Sequence, residues 1–212
     1  MDHTQLLRYA EEVPLDDGNL ADFLDVVSRR LDQHRLSNHG WTPSPLFVPC
    51  IRFGGAGVVS DLVVSVYDSH GDRLGFALKK RGAGENGWEG QFHIIGTPHS
   101  RLDDEGSIFR KFAKELYGAP EKWQELLSAA MHVGQEVHDE DRRGVVCWTD
   151  TFELRISERA LAELTGEWRI FTEGGFGDET IIDHHRPVLR WMADPNRPER
   201  VDLRFDVRYR SR

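Results

Sequence analysis

GQFHIIGTPHSRLDDEGSIFRKFAKELYG, residues 90 to 118, sets out in one stretch a strand, a glycine turn, an acidic loop and a helix that stops at glycine. In its second half Ile108, Phe109, Phe112 and Leu116 recur at helical spacing, and Gly118 stands where a left-handed cap ends a helix. Ahead of them LDDEG places Asp103, Asp104 and Glu105 where the helix dipole favours negative charge. Lys111, Lys114 and Glu115, three to four residues apart, share one face of that helix. A metal site wants carboxylates on such a face, and this one reads Lys, Lys, Glu.

Outward from this stretch the chain alternates between two periods. Upstream, LFVPCIRF, SDLVVSVYD, DRLGFALKK and GQFHII are short apolar runs bounded by Gly, Asp and Asn, and YDSHGDRLG reads as a hairpin turn. Downstream, PEKWQELLSAAMH predicts a second helix, HVGQEV and GVVCWTDTFEL predict strands around the turn HDEDRRG, and SERALAELTG opens a further helix on a serine cap. At the end, RVDLRFDVRYRSR alternates Val201, Leu203, Phe205, Val207 and Tyr209 with Asp and Arg, the period of a half-buried strand. Strands interspersed with helices define the fold class as α/β, or mixed α+β. Residues 19–36 predict an amphipathic helix with Leu20, Phe23, Leu24, Val27 and Leu31 on one face, and SNHGWTPSP reads as a linker. The expected organisation is therefore a helical extension, 1–45, and a main domain, 46–212, that ends in a strand. The apolar face of the extension needs a partner, either the main domain or a second copy in a homodimer.

Composition narrows the function classes. The chain has 212 residues, 39% of them hydrophobic, enough for one substantial core. No stretch approaches the roughly 20 apolar residues of a membrane helix, and the acidic start lacks the regions of a signal peptide, so the expected location is cytoplasmic. A net charge of −9 gives no strong nucleic-acid signal, because phosphate-backbone binding needs clustered Lys and Arg. Cys50 and Cys147 sit in apolar runs without CxxC spacing and read as buried thiols.

The order of elements resembles the Nudix family. LVVSVYDSHGDRLGFALKKR is similar to that family's opening hairpin ending in basic residues such as Arg81, and GWEGQFHIIG to the approach to its box. The box reads glycine, five residues, glutamate, seven residues, then Arg-Glu-apolar-any-Glu-Glu-any-Gly. Gly96 and Arg110 stand the required distance apart, Phe112 falls on the apolar position and Glu115 on the last glutamate. Leu102 replaces the first glutamate, Lys111 and Lys114 replace two of the helix glutamates, and Gly118 arrives one residue late. The box is degenerate, and the resemblance spans about residues 60 to 155.

The resemblance implies a mixed β-sheet sandwiched between helices. It also implies hydrolysis of a nucleoside diphosphate derivative or related phosphoanhydride with Mg²⁺ or Mn²⁺ as cofactor, the partner being a phosphorylated small molecule or nucleotide derivative. On that reading Glu115 with Asp103, Asp104 and Glu105 holds the metal, and Glu115 and a downstream acid, Glu179 or Glu136, are catalytic. Arg81, His93, Gly96, His99, Lys111 and Lys114 then line the ligand. A second reading is a non-catalytic ligand-binding or regulatory domain in which Lys111 and Lys114 meet the phosphate directly.

Plainer roles stand beside these. Lys111 and Glu115 form an exposed i,i+4 pair, LDDEG is a helix-start cluster, EGGFGDET (with Glu173, Asp178 and Glu179) is a surface loop, and His93 and His99 are core or solvent histidines. A minor alternative rests on TIIDHHRPVL, where Asp183, His184 and His185 follow an apolar run and resemble a motif of the DHH metal phosphoesterases.

Overall fold

The computed structural model describes residues 57–82, 88–99, 104–140 and 145–210. Eight strands form one mixed sheet: β1 (Gly57–Tyr67), β2 (Arg73–Lys80), β3 (Phe92–His93), β4 (Ile95–Pro98), β5 (Ala130–Glu140), β6 (Val145–Ser157), β7 (Trp168–Phe171) and β8 (Arg200–Asp202). The order is β3-β2-β1-β6-β5-β8, with β4 paired to the first half of β1 and β7 to β2. The central pair, β1 and β6, is parallel from Gly57↔Cys147 to Tyr67↔Ser157, and β5 runs antiparallel to β6.

Alternation along β1 divides the core into two layers. Leu62, Val64 and Val66 face α1 (Glu105–Tyr117) and α2 (Trp123–Ala129), where they pack with Ile108, Phe109, Phe112, Leu116 and Leu126. Val63, with Phe76 and Leu78 of β2, faces α4 (His185–Ala193) and packs with Val188, Leu189, Trp191 and Met192. The remaining helices are short: α3 (Glu158–Leu161) and α5 (Val207–Arg210). A mixed sheet between helices is the fold class expected from the sequence.

The hairpin turn forms where it was expected: Asp68 Oδ1 accepts the backbone N–H groups of His70 and Asp72 at 2.8 and 2.9 Å and closes β1 onto β2. Helix α1 begins at Glu105 with Asp104 as its N-cap, and Asp104 Oδ1 accepts Ser107 N–H and Ser107 Oγ–H, each at 2.7 Å. It ends at Gly118, whose φ of 67° needs glycine and whose N–H meets the Lys114 carbonyl at 2.9 Å.

Four expectations are corrected. The second helix is a 3-10 turn, Pro120–Lys122, followed by α2, and Ala130 already belongs to β5. The helix from Ser157 keeps its cap, Ala160 N–H to Ser157 Oγ, but lasts only from Glu158 to Leu161. The C-terminal segment is not one strand: β8 stops at Asp202, and α5 follows. Its alternation fails physically, since Val201, Leu203 and Tyr209 are buried while Phe205 and Val207 are 75% and 68% exposed. The apolar run before Asp183 makes only an isolated bridge, Phe92↔Ile181, and leads into α4. The 19–36 helix, the linker, Cys50, Leu102 and Asp103 lie outside the described residues.

Phe112 is fully buried between α1 and the sheet, whereas Phe205 is not. Phe112→Ala is expected to lower the unfolding free energy by about 3–5 kcal/mol, and Phe205→Ser to change it by no more than about 0.5 kcal/mol. Urea titration followed by far-UV circular dichroism measures both; a large loss at Phe205 would restore the half-buried strand.

Candidate functional site

Glu115 lies in the last turn of α1 and is folded back onto the sheet. Its carboxylate meets Lys79 Nζ of β2 at 3.7 Å, and the same ammonium donates to the Glu115 backbone carbonyl at 2.7 Å. Thr165 completes the cap: its hydroxyl donates to the carbonyls of Glu115 and Leu116 at 3.1 and 3.0 Å. The helix end, which would otherwise leave unpaired carbonyls, is tied down by Lys79, Thr165 and Gly118. Both Lys79 and Glu115 are mostly shielded from solvent, so the pair sits where screening is weak.

His93 reaches the same carboxylate, Nε2 to Oε1 at 3.7 Å. This contact is not an ion pair. Burial, then the Arg81 guanidinium and Lys79, lower the His93 pKa to about 3, against a weaker opposing hydrogen bond at Ile94, so the ring is neutral at ordinary pH. Around it runs a row of rings: His93 stacks on His185 with centroids 6.3 Å apart, His185 meets His184 edge-on at 4.2 Å, and His184 stacks on His138 at 5.2 Å. His185 is neutral as well, since its Nδ1 accepts the Ile94 N–H at 2.9 Å and burial and the neighbouring histidines hold its pKa well below the usual range. Arg81 lies over the buried Trp88 ring at 5.4 Å.

The other expected site residues take varied positions. Gly96 pairs with Asp61 across β4 and β1, and a side chain at position 96 would run into the Asp61 carboxylate. His99 Nε2 is 2.7 Å from Ser60 Oγ. Asp104 caps α1, and Ser107 holds its carboxyl below the usual carboxylate range; Glu105 is exposed in the first turn. Lys111 is partly exposed and Lys114 fully so, near the helix end where a cation suits the dipole. Glu179 is exposed in the segment alongside β3, where its carbonyl accepts from Gln91 Nε2 at 3.1 Å. Asp178 is occupied by Thr180, whose N–H and hydroxyl it accepts at 2.8 and 2.7 Å.

The structure thus brings together Glu115, His93 and Lys79, with Arg81 close enough to act on His93; of the acidic loop, Asp104 caps α1 and Glu105 is exposed. Lys79 stands 3.7 Å from the Glu115 carboxylate, and Asp104 spends an oxygen on the cap. Among the described residues no three His, Cys, Asp or Glu side chains are arranged to hold a metal ion. The described residues of α1 therefore do not fit the Mg²⁺ or Mn²⁺ that the box resemblance implies. The sequence reading missed Lys79 and the histidine row, because β2–α1 and β3–α4 neighbours are distant in the chain and carry no spacing signal.

No family model and no curated protein matches this sequence. Among solved structures the chain is similar to a MutT/Nudix family protein from Listeria innocua, at 18% identity and a TM-score of 0.45, over 63% of this chain and 89% of that one. It is also similar to a Nudix hydrolase from M. Smegmatis, RenU, at 14% identity and a TM-score of 0.44, over 65% and 85%. A third similar structure is the bifunctional NMN adenylyltransferase/ADP ribose pyrophosphatase of Francisella tularensis, complexed with AMP and Mn. There the identity is 14% and the TM-score 0.46, over 79% of this chain and 52% of that one.

Neutral burial of His93 gives a pH dependence whose sign follows from its pKa. The unfolded histidine takes up a proton below about 6.5 and the folded one only below about 3, so its stability contribution is complete above pH 6.5 and is lost as pH falls through this window. His185 acts in the same direction, while Glu136, whose carboxyl is raised by burial, acts in the opposite one. His93→Gln is expected to flatten the fall in unfolding free energy between pH 6 and 5 by about 1.4 kcal/mol per pH unit. Denaturant midpoints at several pH values check this; an unchanged slope would mean that His93 is charged in the folded protein.

Proposed function

We propose that this chain is a Nudix-like protein that takes a nucleoside diphosphate derivative or related phosphoanhydride at the face of α1 carrying Lys111, Lys114 and Glu115. The observation that carries the reading is the Lys79–Glu115 pair. It settles the one box carboxylate of the helix against an internal cation and leaves the outer part of the same face to two lysines. An ammonium pair there meets phosphate oxygens directly, as point charges with rotatable donors.

One form of the proposal is recognition without a metal on α1, the arrangement of a sensor or regulatory domain. Hydrolysis with a divalent metal on Glu115 and the acidic loop is the other form of the proposal; it requires Lys79 to give up the carboxylate. Its support is the box spacing from Gly96 to Glu115. No chemical step is derived through the metal, because the described residues do not hold one.

The two forms separate in one experiment. Nucleotide sugars, dinucleotides and nucleoside triphosphates are titrated into the full chain by calorimetry, once in EDTA and once in Mg²⁺, with phosphate-bond cleavage followed in parallel. Metal-free recognition predicts a bound member of the panel with equal affinity in both buffers and a loss of at least about tenfold in Lys111→Glu with Lys114→Glu, one factor of ten being worth about 1.4 kcal/mol. Cleavage that stops in EDTA and in Glu115→Gln would instead establish the hydrolytic form, and binding untouched by the double substitution would remove α1 from the site.

A further inference from the structure

The face of the sheet turned away from α1 carries a buried acid that its protein neighbours leave uncompensated. By register Asp61 of β1 stands opposite Thr151 of β6, and Thr149 of β6 stands opposite Glu136 of β5. Register partners share a face, so Asp61, Thr151, Thr149 and Glu136 form one polar strip across three adjacent strands. Their exposures are 3%, 0%, 2% and 1%. Gly96, with no side chain, leaves room for the Asp61 carboxylate at one end of the strip.

Glu153, two residues beyond Thr151 on the same face, shows how this sheet ordinarily accommodates a buried carboxylate. Ser65 Oγ donates to it at 2.6 Å, and the Arg155 guanidinium donates through two nitrogens at 3.2 and 3.1 Å. Glu136 has no counterpart to these. Neither of its carboxylate oxygens accepts a hydrogen bond, and the hydroxyls of Thr149 and Thr151 also lack partners. His138 Nδ1 comes within 3.7 Å of Glu136 Oε1, beyond hydrogen-bond reach. Burial, and after it the charge of Asp61, push the Glu136 carboxyl well up; Thr151 lies near enough to oppose this, though not in hydrogen-bond geometry. Buried polar atoms without partners are few in native interiors, and several at one spot mark a place for a water or an ion.

We propose that this strip binds a hard divalent cation, Ca²⁺ or Mg²⁺, through the carboxylates of Asp61 and Glu136 and the hydroxyls of Thr149 and Thr151. All four donors are oxygens, which selects hard cations over the softer metals that thiolate and imidazole hold. A dication supplies the opposite charge that the Glu136 carboxylate, neither of whose oxygens has a partner, lacks in a poorly screened interior. The hydroxyls lie between them on β6 and complete an oxygen set of two acids and two alcohols. This site and α1 lie on opposite faces of the sheet, so the inference stands or falls independently of the phosphoanhydride reading.

The test uses the full chain stripped with EDTA and dialysed into metal-free buffer, with CaCl₂ or MgCl₂ added alone. Thermal unfolding is expected to shift upward by about 5 °C or more at a hundredfold excess over Kd for one of the two ions. Glu136→Gln and Thr151→Val are each expected to abolish the shift, and Glu136→Gln to melt at or above the wild type in EDTA because it removes the unmatched acid. Thr151→Val keeps the side-chain volume and decides the matter if Glu136→Gln fails to fold. A wild type that responds to neither ion, as a water-filled strip would, overturns the proposal, and so does an equal response in both variants.

Discussion

The parallel pairing of β1 with β6 is the constraint on which the rest of the structure depends. The two strands are far apart in the chain, each is flanked on both sides within the sheet, and residues 59–66 of β1 are buried on both faces. Burial on both faces explains why SDLVVSVYD is almost continuously apolar rather than alternating. It also fixes the fate of every polar side chain on these strands. Ser65 and Glu153 satisfy each other, with help from Arg155, whereas Glu136, Thr149 and Thr151 are brought to the same face without a partner. A small set of strand pairings thus creates both the core and a buried strip whose Glu136, Thr149 and Thr151 the core does not satisfy.

The second determinant is Lys79, which holds α1 to β2. Its ammonium serves the helix end twice, through the Glu115 carbonyl and the Glu115 carboxylate. A helix whose last carbonyls are capped from the sheet is held in a defined orientation, and the same contact withdraws the only box carboxylate of that helix from other uses. Stability and chemistry compete here for one side chain. The neutral, buried His93 beside it adds no positive charge, whereas Lys79 does.

Local features were legible in the sequence, and those decided by remote neighbours were not. The β1–β2 hairpin, α1 with its Gly118 stop and the serine cap at 157 follow from turn chemistry and periodicity within a few residues. At the C-terminus, alternation suggested a strand, but only Arg200–Asp202 find a partner in β5; beyond them Phe205 and Val207 are largely exposed and the chain turns into α5. Helix α4 was missed because its lead-in, TIIDHH, imitates a buried strand, and its burial is fixed by its own Trp191 packing with Phe76 and Leu78 on one face of the sheet. In the candidate site Glu115 and His93 were legible as residue types at plausible positions. Lys79 was not, since nothing in ALKK indicates that one lysine turns inward onto a residue 36 positions further along the chain.

The distribution of charge bears on how any anionic ligand reaches α1. At −9 the chain as a whole repels anions, but at physiological salt that field decays over about 8 Å, so distant acids contribute little beside a local lysine pair. Long-range steering toward Lys111 and Lys114 is therefore weak, and recognition by them depends on close contacts made after encounter. The buried acids act differently. Asp61 and Glu136 lie in the interior, where salt screens little, and burial, then the charge of Asp61, push the Glu136 carboxyl well up. The two faces of the sheet consequently present opposite electrostatic settings: lysines on a helix in an acidic protein, and enclosed acids on the other side. An anion relieves the first and a cation the second, and neither depends on the other.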